Sequence, residues 1–433
     1  MKNSKYLNLN YLIQIFLILL FIFGRVLMGV NISSFRLGEI VMGLSAILLV
    51  IGLIHDLVNF NKLKKNFKLV TILCVIILLH FIFQLFYYGY SFFDLYPFKA
   101  SSYIWVLGFF YLGKKNYFDF SSSIFLVFLF ISLIVSYFSS IFGIDETSQL
   151  KILNYTDKFD YLKASDLLIF FLFFTFFLLK NNNLKYENKI IFLVLVGLYF
   201  LPLLVHKSRG SSIAFLIALI LLIRKFMFIE KSIKFKSIII FSGFLLLVIS
   251  SFIVTKSELK ISEIDSKLIQ ISTSRYEINA QEHSDYPLFY FRDLRLFSSD
   301  GDLNWRFQIW QDVISDLYES GNIINGYGYN NKIPAMNDIL RSGNDGTNEN
   351  VHNFLINILA RGGIIHLILF LVLYFVLLKE FKENRSLYYY LLLVLPVVFT
   401  SLFDSSMENS HFPLLFYYLL GNLSEYNTEN SLS

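Results

Sequence analysis

Residues 237–254 read SIIIFSGFLLLVISSFIV, an uncharged run bracketed by Lys236 and Lys256. A helix needs roughly 20 predominantly apolar residues to cross about 30 Å of hydrocarbon, so this stretch reads as a membrane span. Working outward, runs of the same kind recur through the 433 residues. Spans are expected at 10–30, 37–54, 69–90, 98–113, 121–143, 164–180, 190–206, 210–224, 237–255, 353–378, 387–404 and 411–424. The expected fold class is therefore an all-α integral membrane protein of about twelve transmembrane helices. Composition agrees, with 56% hydrophobic and 16% charged residues, where a soluble chain carries about a quarter charged. No ten-residue blocks of alternating polarity appear, which argues against an outer-membrane barrel. The first run is interrupted by Arg25 and followed by no small-residue cleavage site, so it reads as an uncleaved span. The single cysteine, Cys74, lies in an apolar run and excludes an intrachain disulfide or a thiolate metal cluster. A net charge of +5 is too small to argue for nucleic acid.

Orientation follows from the placement of Lys and Arg. With a cytoplasmic N-terminus, the inside segments hold 19 basic and 8 acidic residues, and the outside segments 16 basic and 24 acidic. Both termini are then cytoplasmic, with 1–256 carrying nine spans, 352–424 three more, and 425–433 a cytoplasmic tail. Between them, 257–351 forms one long extracytoplasmic loop. Connections of that length are functional or disordered as a rule. This one contains NWRFQIWQDVISDLYESG at 304–321, in which Trp310, Val313, Ile314 and Leu317 share a helical face and Gly321 supplies a stop. The loop is expected to be folded.

Four clusters at the outer ends of spans could carry chemistry. In VHKSRGSS, Lys207 and Arg209 precede a helix start, where free backbone N–H groups and nearby cations favour a phosphate; the competing reading is snorkelling at the lipid boundary. Arg306 lies one turn from Trp310 and either stacks on it or grips an anionic group with both its nitrogens. His352 and Asn353 open the tenth span behind Asn348 and Asn350, and a histidine is the side chain best placed for proton transfer near neutral pH. The other reading is a satisfied boundary histidine. His206, His283 and His411 lack comparable surroundings, and the histidine spacing implies no protein-held metal. In SLFDSSMENSHFP, Asp404 and Glu408 either orient a base or an acceptor hydroxyl or simply line a hydrated hairpin. The stretch NGYGYNNK, with Gly326 and Gly328, reads as a turn.

In this order, over roughly residues 190–424, these features resemble the O-antigen ligase and O-antigen polymerase superfamily of bacterial envelope glycosyltransferases. The resemblance rests on Ser-Arg-Gly opening a span, Arg306-x-x-x-Trp310 in a long loop, Gly326-x-Gly328, then His352-Asn353 and a short closing span after SLFDS. The family pattern continues with Gly-x-x-Gly preceded by an acid. Here Gly363 fits the first glycine, His366 replaces the second, and Arg361 stands where the acid is usual.

The resemblance implies a glycosyltransferase C-type-like membrane fold in the bacterial cytoplasmic (inner) membrane, with its active site on the periplasmic face. It implies transfer of a glycan from an undecaprenyl-diphosphate carrier to a sugar hydroxyl, without cofactor or metal, in lipopolysaccharide or other surface-polysaccharide assembly. Arg209 and Arg306 are the expected diphosphate holders, with Lys207 in support, and His352 the expected base of an inverting displacement. Asn353, Trp310 and Asp404 are expected to contact substrate. The acceptor is either the lipid A core, for a ligase, or another lipid-linked glycan, for a polymerase; the nine residues between Asn353 and Gly363 resemble the ligases more. A lipid-linked oligosaccharide flippase shares the span count but should carry charged or broken helices at mid-membrane. Here nearly all charges sit at span ends.

Overall fold

The computed structural model describes residues 2–89, 95–115, 122–143, 162–261, 287–338, 341, 349–384 and 386–424. The expected tail 425–433, together with His283 and Asn348, lies outside the described residues. The chain begins with α1 (Lys2–Gly29), a two-stranded hairpin of β1 (Asn31–Ile32) and β2 (Phe35–Arg36), then α2 (Leu37–Val58) and α3 (Lys65–Tyr87). Three short helices follow: α4 (Leu95–Ala100), α5 (Ser102–Trp105) and α6 (Leu107–Lys115). Next come α7 (Ser123–Phe142), α8 (Ala164–Lys180), α9 (Tyr186–Lys207), α10 (Arg209–Ile229) and α11 (Ile233–Ile261). A second hairpin, β3 (Phe289–Arg292) and β4 (Arg295–Ser298), leads into α12 (Gly301–Glu319). The chain closes with α13 (Phe354–Glu383), α14 (Leu387–Ser401) and α15 (His411–Ser424).

Among the described residues, eight helices are long and apolar enough to cross a membrane: α1, α2, α3, α7, α9, α10, α11 and α13. The described sheet consists of the two hairpins alone. This is a multi-pass, helical membrane architecture. The remaining expected spans are helical but shorter. The run at 98–113 is not one helix, because Ser101 turns its hydroxyl onto the Pro97 carbonyl (2.7 Å) and also accepts the Trp105 indole N–H (2.9 Å). Such side-chain bonds compete with the helical ladder and break it here.

Packing separates the helices into a centre and a lipid-facing rim. Every residue of α8 from Ala164 to Leu179 is buried, so this Phe-rich helix is the axis of the bundle. By contrast α11 exposes Ile238, Phe241, Phe244, Leu245, Val248 and Phe252, the pattern of a helix whose outer face meets hydrocarbon. Helix α6 approaches α15 closely, since a Cβ on Gly113 would overlap the Tyr418 carbonyl and one on Gly421 the Phe110 carbonyl. Small residues at helix crossings are the usual means of close approach within a membrane.

Polar contacts identify two ends. At one end Lys114 meets Asp56 (3.0 Å), Asn66 meets Glu380 (2.9 Å) and Lys64 meets Asn384 (3.2 Å). These segments are the ones the Lys/Arg count places together. The opposite end gathers Lys99 with Glu39 (2.8 Å), Lys163 with Asp404 (3.6 Å), and Arg209 with Asp300. That second end carries the site.

Candidate active site

The site is built where α12 docks onto the start of α13. Asp300 caps α12, its carboxylate accepting the Leu303 N–H at 3.0 Å. The buried stripe of α12 is Asn304, Ile309, Val313 and Leu317, steps of four and five residues that suit a helix lying on a surface. The expected face differs by a rotation: Trp310 is half-buried at its edge and Ile314 is exposed. The stop at Gly321 is present, with φ +71°.

Two tryptophans of α12 grip the approach to α13. The Trp310 indole N–H donates to the Val351 carbonyl at 2.8 Å, and the Trp305 ring lies 5.1 Å from the His352 ring at 67°. Trp310 is thereby a strut as well as a wall. Asn353 caps α13, its side-chain oxygen accepting from Leu355 N (3.0 Å) and Ile356 N (3.1 Å). Between them His352 sits at φ +52°, a left-handed conformation that histidine tolerates better than most residues but that costs about 1–3 kcal/mol.

Charge converges on this imidazole. Burial pushes its pKa down to about 4, with Lys163 and Arg306 adding to the shift and Asp404 opposing it. His352 is therefore a neutral imidazole at pH 7. Burial works to raise the Asp404 pKa, but the Lys163 charge, a hydrogen bond from Ser165 (2.7 Å) and the nearby Arg306 outweigh it. Asp404 is held below the ordinary carboxylate value and stays anionic. Glu408, in the same turn, is pushed up to about 8 by burial, opposed by Arg361 and reinforced by Asp404.

The two arginines differ in their engagement. Among the described residues, Arg306 donates to the Asp302 carbonyl of its own helix (3.2 Å) and its buried Nε has no hydrogen-bond partner. Among the described cation–π contacts none joins Arg306 to Trp310, so the expected alternative of a stacked pair is not what the structure contains. Arg209, the first residue of α10, has a side chain 79% exposed and pairs with Asp300. Its helix is capped by Ser208, which accepts the Ser211 N–H at 3.3 Å. Lys207 reaches elsewhere, to the Leu162 carbonyl at 3.1 Å. The structure thus brings His352, Arg306 and Asp404 together, joins Arg209 to them through the cap of α12, and turns Lys207 toward the segment before α8.

Several readings need correction. His411 has substantial surroundings, a buried 2.7 Å contact with Asp166. Lys163 and Ser165 belong to the site and were missed; the polar tetrad Lys163-Ala164-Ser165-Asp166 opening an otherwise apolar span was the available signal. NGYGYNNK is more than a turn. Helix α13 breaks at Gly363 (φ 67°, ψ −172°), and the loop backbone pairs with the broken ladder. Tyr327 N donates to Ala360 O (2.7 Å), Gly328 N to Arg361 O (3.1 Å), and Ile364 N to Ile323 O (2.9 Å). A Cβ on Gly326 would sit 2.6 Å from Gly363 N, and one on Gly363 would overlap the Ile324 carbonyl. Arg361 then cross-braces the loop, donating to Asn331 O (2.5 Å) and Gly328 O (3.4 Å). His366 joins the Tyr103 (2.7 Å) and Tyr329 (3.1 Å) hydroxyls beneath it. Arg361 and His366, departures from the family pattern, are thus structural partners of one clamp.

Residues 191–371 match the family model described as O-antigen ligase. Over that segment, which is less than half of the chain, the protein is similar to the O-antigen ligase family. The matched segment contains Lys207, Arg209, Arg306, Trp310, His352 and Asn353, whereas Lys163, Ser165 and Asp404 come from outside it. No curated protein matches the chain. The match supports a membrane role of glycosyltransferase type in polysaccharide assembly.

Proposed function

We propose that this protein is a polyprenyl-diphosphate-dependent, inverting glycosyltransferase of O-antigen ligase type, acting in the bacterial cytoplasmic membrane. In this reading twelve spans place both termini in the cytoplasm and the loop at 257–351 outside. The observation that carries it is the convergence of Arg306, Asp404 and neutral His352 where α12 meets α13, with Arg209 tied to the same helix through Asp300.

A lipid diphosphate is a competent leaving group, so catalysis needs positive charge where charge develops as its bond breaks. Arg306 offers a buried nitrogen without a partner among the described residues, and Arg209 an exposed guanidinium at a helix start. Together they supply that charge from the protein's own side chains. The acceptor hydroxyl oxygen forms the new bond to the anomeric carbon while the carbon–oxygen bond to the diphosphate breaks and its electrons leave with the phosphate. The hydroxyl proton passes to His352. Imidazolium formed there is stabilised by anionic Asp404, which lies close enough to act on its charge. One displacement inverts the anomeric centre.

The lipid A core is the proposed acceptor, since the matched family model is the ligase one. Purified protein given an undecaprenyl-diphosphate glycan and a lipid A core should form the conjugate without nucleotide. No product from folded protein that binds both substrates would refute glycosyl transfer. In cells, loss of a ligase leaves unsubstituted core with long polymer on the carrier. Core bearing at most one repeat unit, and no long polymer on the carrier, would identify a polymerase with the same donor site. Repeats trapped on the cytoplasmic side would identify a flippase.

A further inference from the structure

The β3–β4 hairpin takes no part in the chemistry above, yet outside the spans it is a markedly apolar, exposed element. Leu288, Phe289 and Phe291 are exposed, and Leu294 at the tip is 101% exposed. Arg292 pairs with Arg295 across the ladder, leaving a two-residue turn of Asp293 (φ 50°) and Leu294 (φ 62°). Such turns favour Asn-Gly or Asp-Gly because both central residues need positive φ. A leucine here is strained and projects wholly outward, and nothing in hairpin formation calls for either.

The base of the hairpin adjoins the start of span α10. Ser299 N bonds Leu288 O (3.3 Å), and the adjacent Asp300 pairs with Arg209, the first residue of span α10. A run of aromatic contacts also connects hairpin and bundle: Phe289 to Phe307 (6.1 Å), Phe307 to Trp310 (5.7 Å), Trp310 to Phe403 (6.2 Å), and Phe403 to Phe399 in the last turn of α14 (5.5 Å). Aromatic rings gathered at span ends mark the membrane interface.

We propose that the hairpin is an interfacial anchor, its tip residues Phe291 and Leu294 entering the headgroup–acyl boundary of the membrane that the spans cross. Exposed Arg292, which meets the exposed Asp293 at 3.6 Å, then lies where lipid phosphates are found. A bilayer fits better than a protein groove. Phe289 and Phe291 share one face of the ribbon and Leu294 projects from its tip, so exposed apolar groups occupy both a face and the end, which lipid covers together. The anchor fixes the depth of α12, and with it Arg306, at headgroup level.

The test uses the full chain in a Cys74→Ser background, reconstituted in nanodiscs of phosphatidylethanolamine and phosphatidylglycerol. A nitroxide at Leu294→Cys is compared with one at Ser315→Cys, on the exposed face of α12. Power saturation should show the Leu294 label several-fold more accessible to oxygen relative to a water-soluble nickel chelate than the Ser315 label. A label at Phe291→Cys should behave like that at Leu294, which guards against a local effect of one substitution. Equal nickel accessibility at 294 and 315 would place the hairpin in water and overturn the proposal. Shielding from both reagents would overturn it too, in favour of a protein partner. The readout does not involve glycan transfer, so it succeeds or fails independently of the proposed activity.

Discussion

Asp300 allows the role of Arg209 to be separated from its architecture. Its carboxylate does two jobs, capping α12 through Leu303 N (3.0 Å) and pairing with Arg209. Asparagine caps a helix about as well as aspartate, so Asp300→Asn should keep the cap and remove only the ion pair. Because the Arg209 side chain is 79% exposed, the pair is worth about 0.2–1 kcal/mol. Stability should therefore fall by no more than about 1 kcal/mol. If Arg209 serves the donor, Asp300 competes with the diphosphate for it, and removing that competition should lower the donor KM. The same energy range corresponds to a factor of about 1.4–5. Initial rates of the purified variant against donor concentration, at saturating acceptor, measure this directly. A folded Asp300→Asn protein that has lost transfer would refute the reasoning, because Arg209 would then matter as the tether of α12 and not as a donor ligand.

Other expectations follow the same geometry. Arg306→Ala and Arg306→Lys should both weaken donor binding by about 1.5–3 kcal/mol, the worth of a charged hydrogen bond, measured as donor KM; full activity in Arg306→Ala would leave it no role in binding. His352→Ala should lower kcat about 10²–10⁴-fold with donor binding retained. Since neutral imidazole is the working form and its pKa is pushed down to about 4, kcat/KM should stay level from pH 8 to about 5 and fall only as pH drops through about 4. A decline centred near 6.5 would contradict that environment. Gly363→Ala must hold alanine at φ 67° against the Ile324 carbonyl, costing about 1–3 kcal/mol for the backbone alone, whereas Gly43→Ala meets nothing within 4 Å and should be neutral or stabilising by up to about 1 kcal/mol; thermal unfolding in detergent compares them. Single cysteines at 257–351 should react with an impermeant reagent from outside, and those at 56–68 and 225–236 should not.

Membrane class and the positions of eight spans were legible in the sequence, because length and apolarity of a run are local properties that hydrocarbon reads directly. His352, Arg306 and Arg209 could be named as candidates, since cations and an imidazole near helix starts suggest their chemistry within a few residues. What the sequence could not show was assembly across distance. That Lys163 and Ser165 face Asp404, some 240 positions later, depends on how α8 sits at the bundle axis. That Gly326 and Gly363 exist for each other follows only when two backbones meet at less than the width of a Cβ. The family departures at Arg361 and His366 left the packing of their helix open, and became a clamp once Asn331, Tyr103 and Tyr329 stood around them. Apolar periodicity decides which segments enter the membrane, whereas the partners of each buried polar group are decided by tertiary packing, because an unpaired polar group in that interior is too costly to leave unmatched.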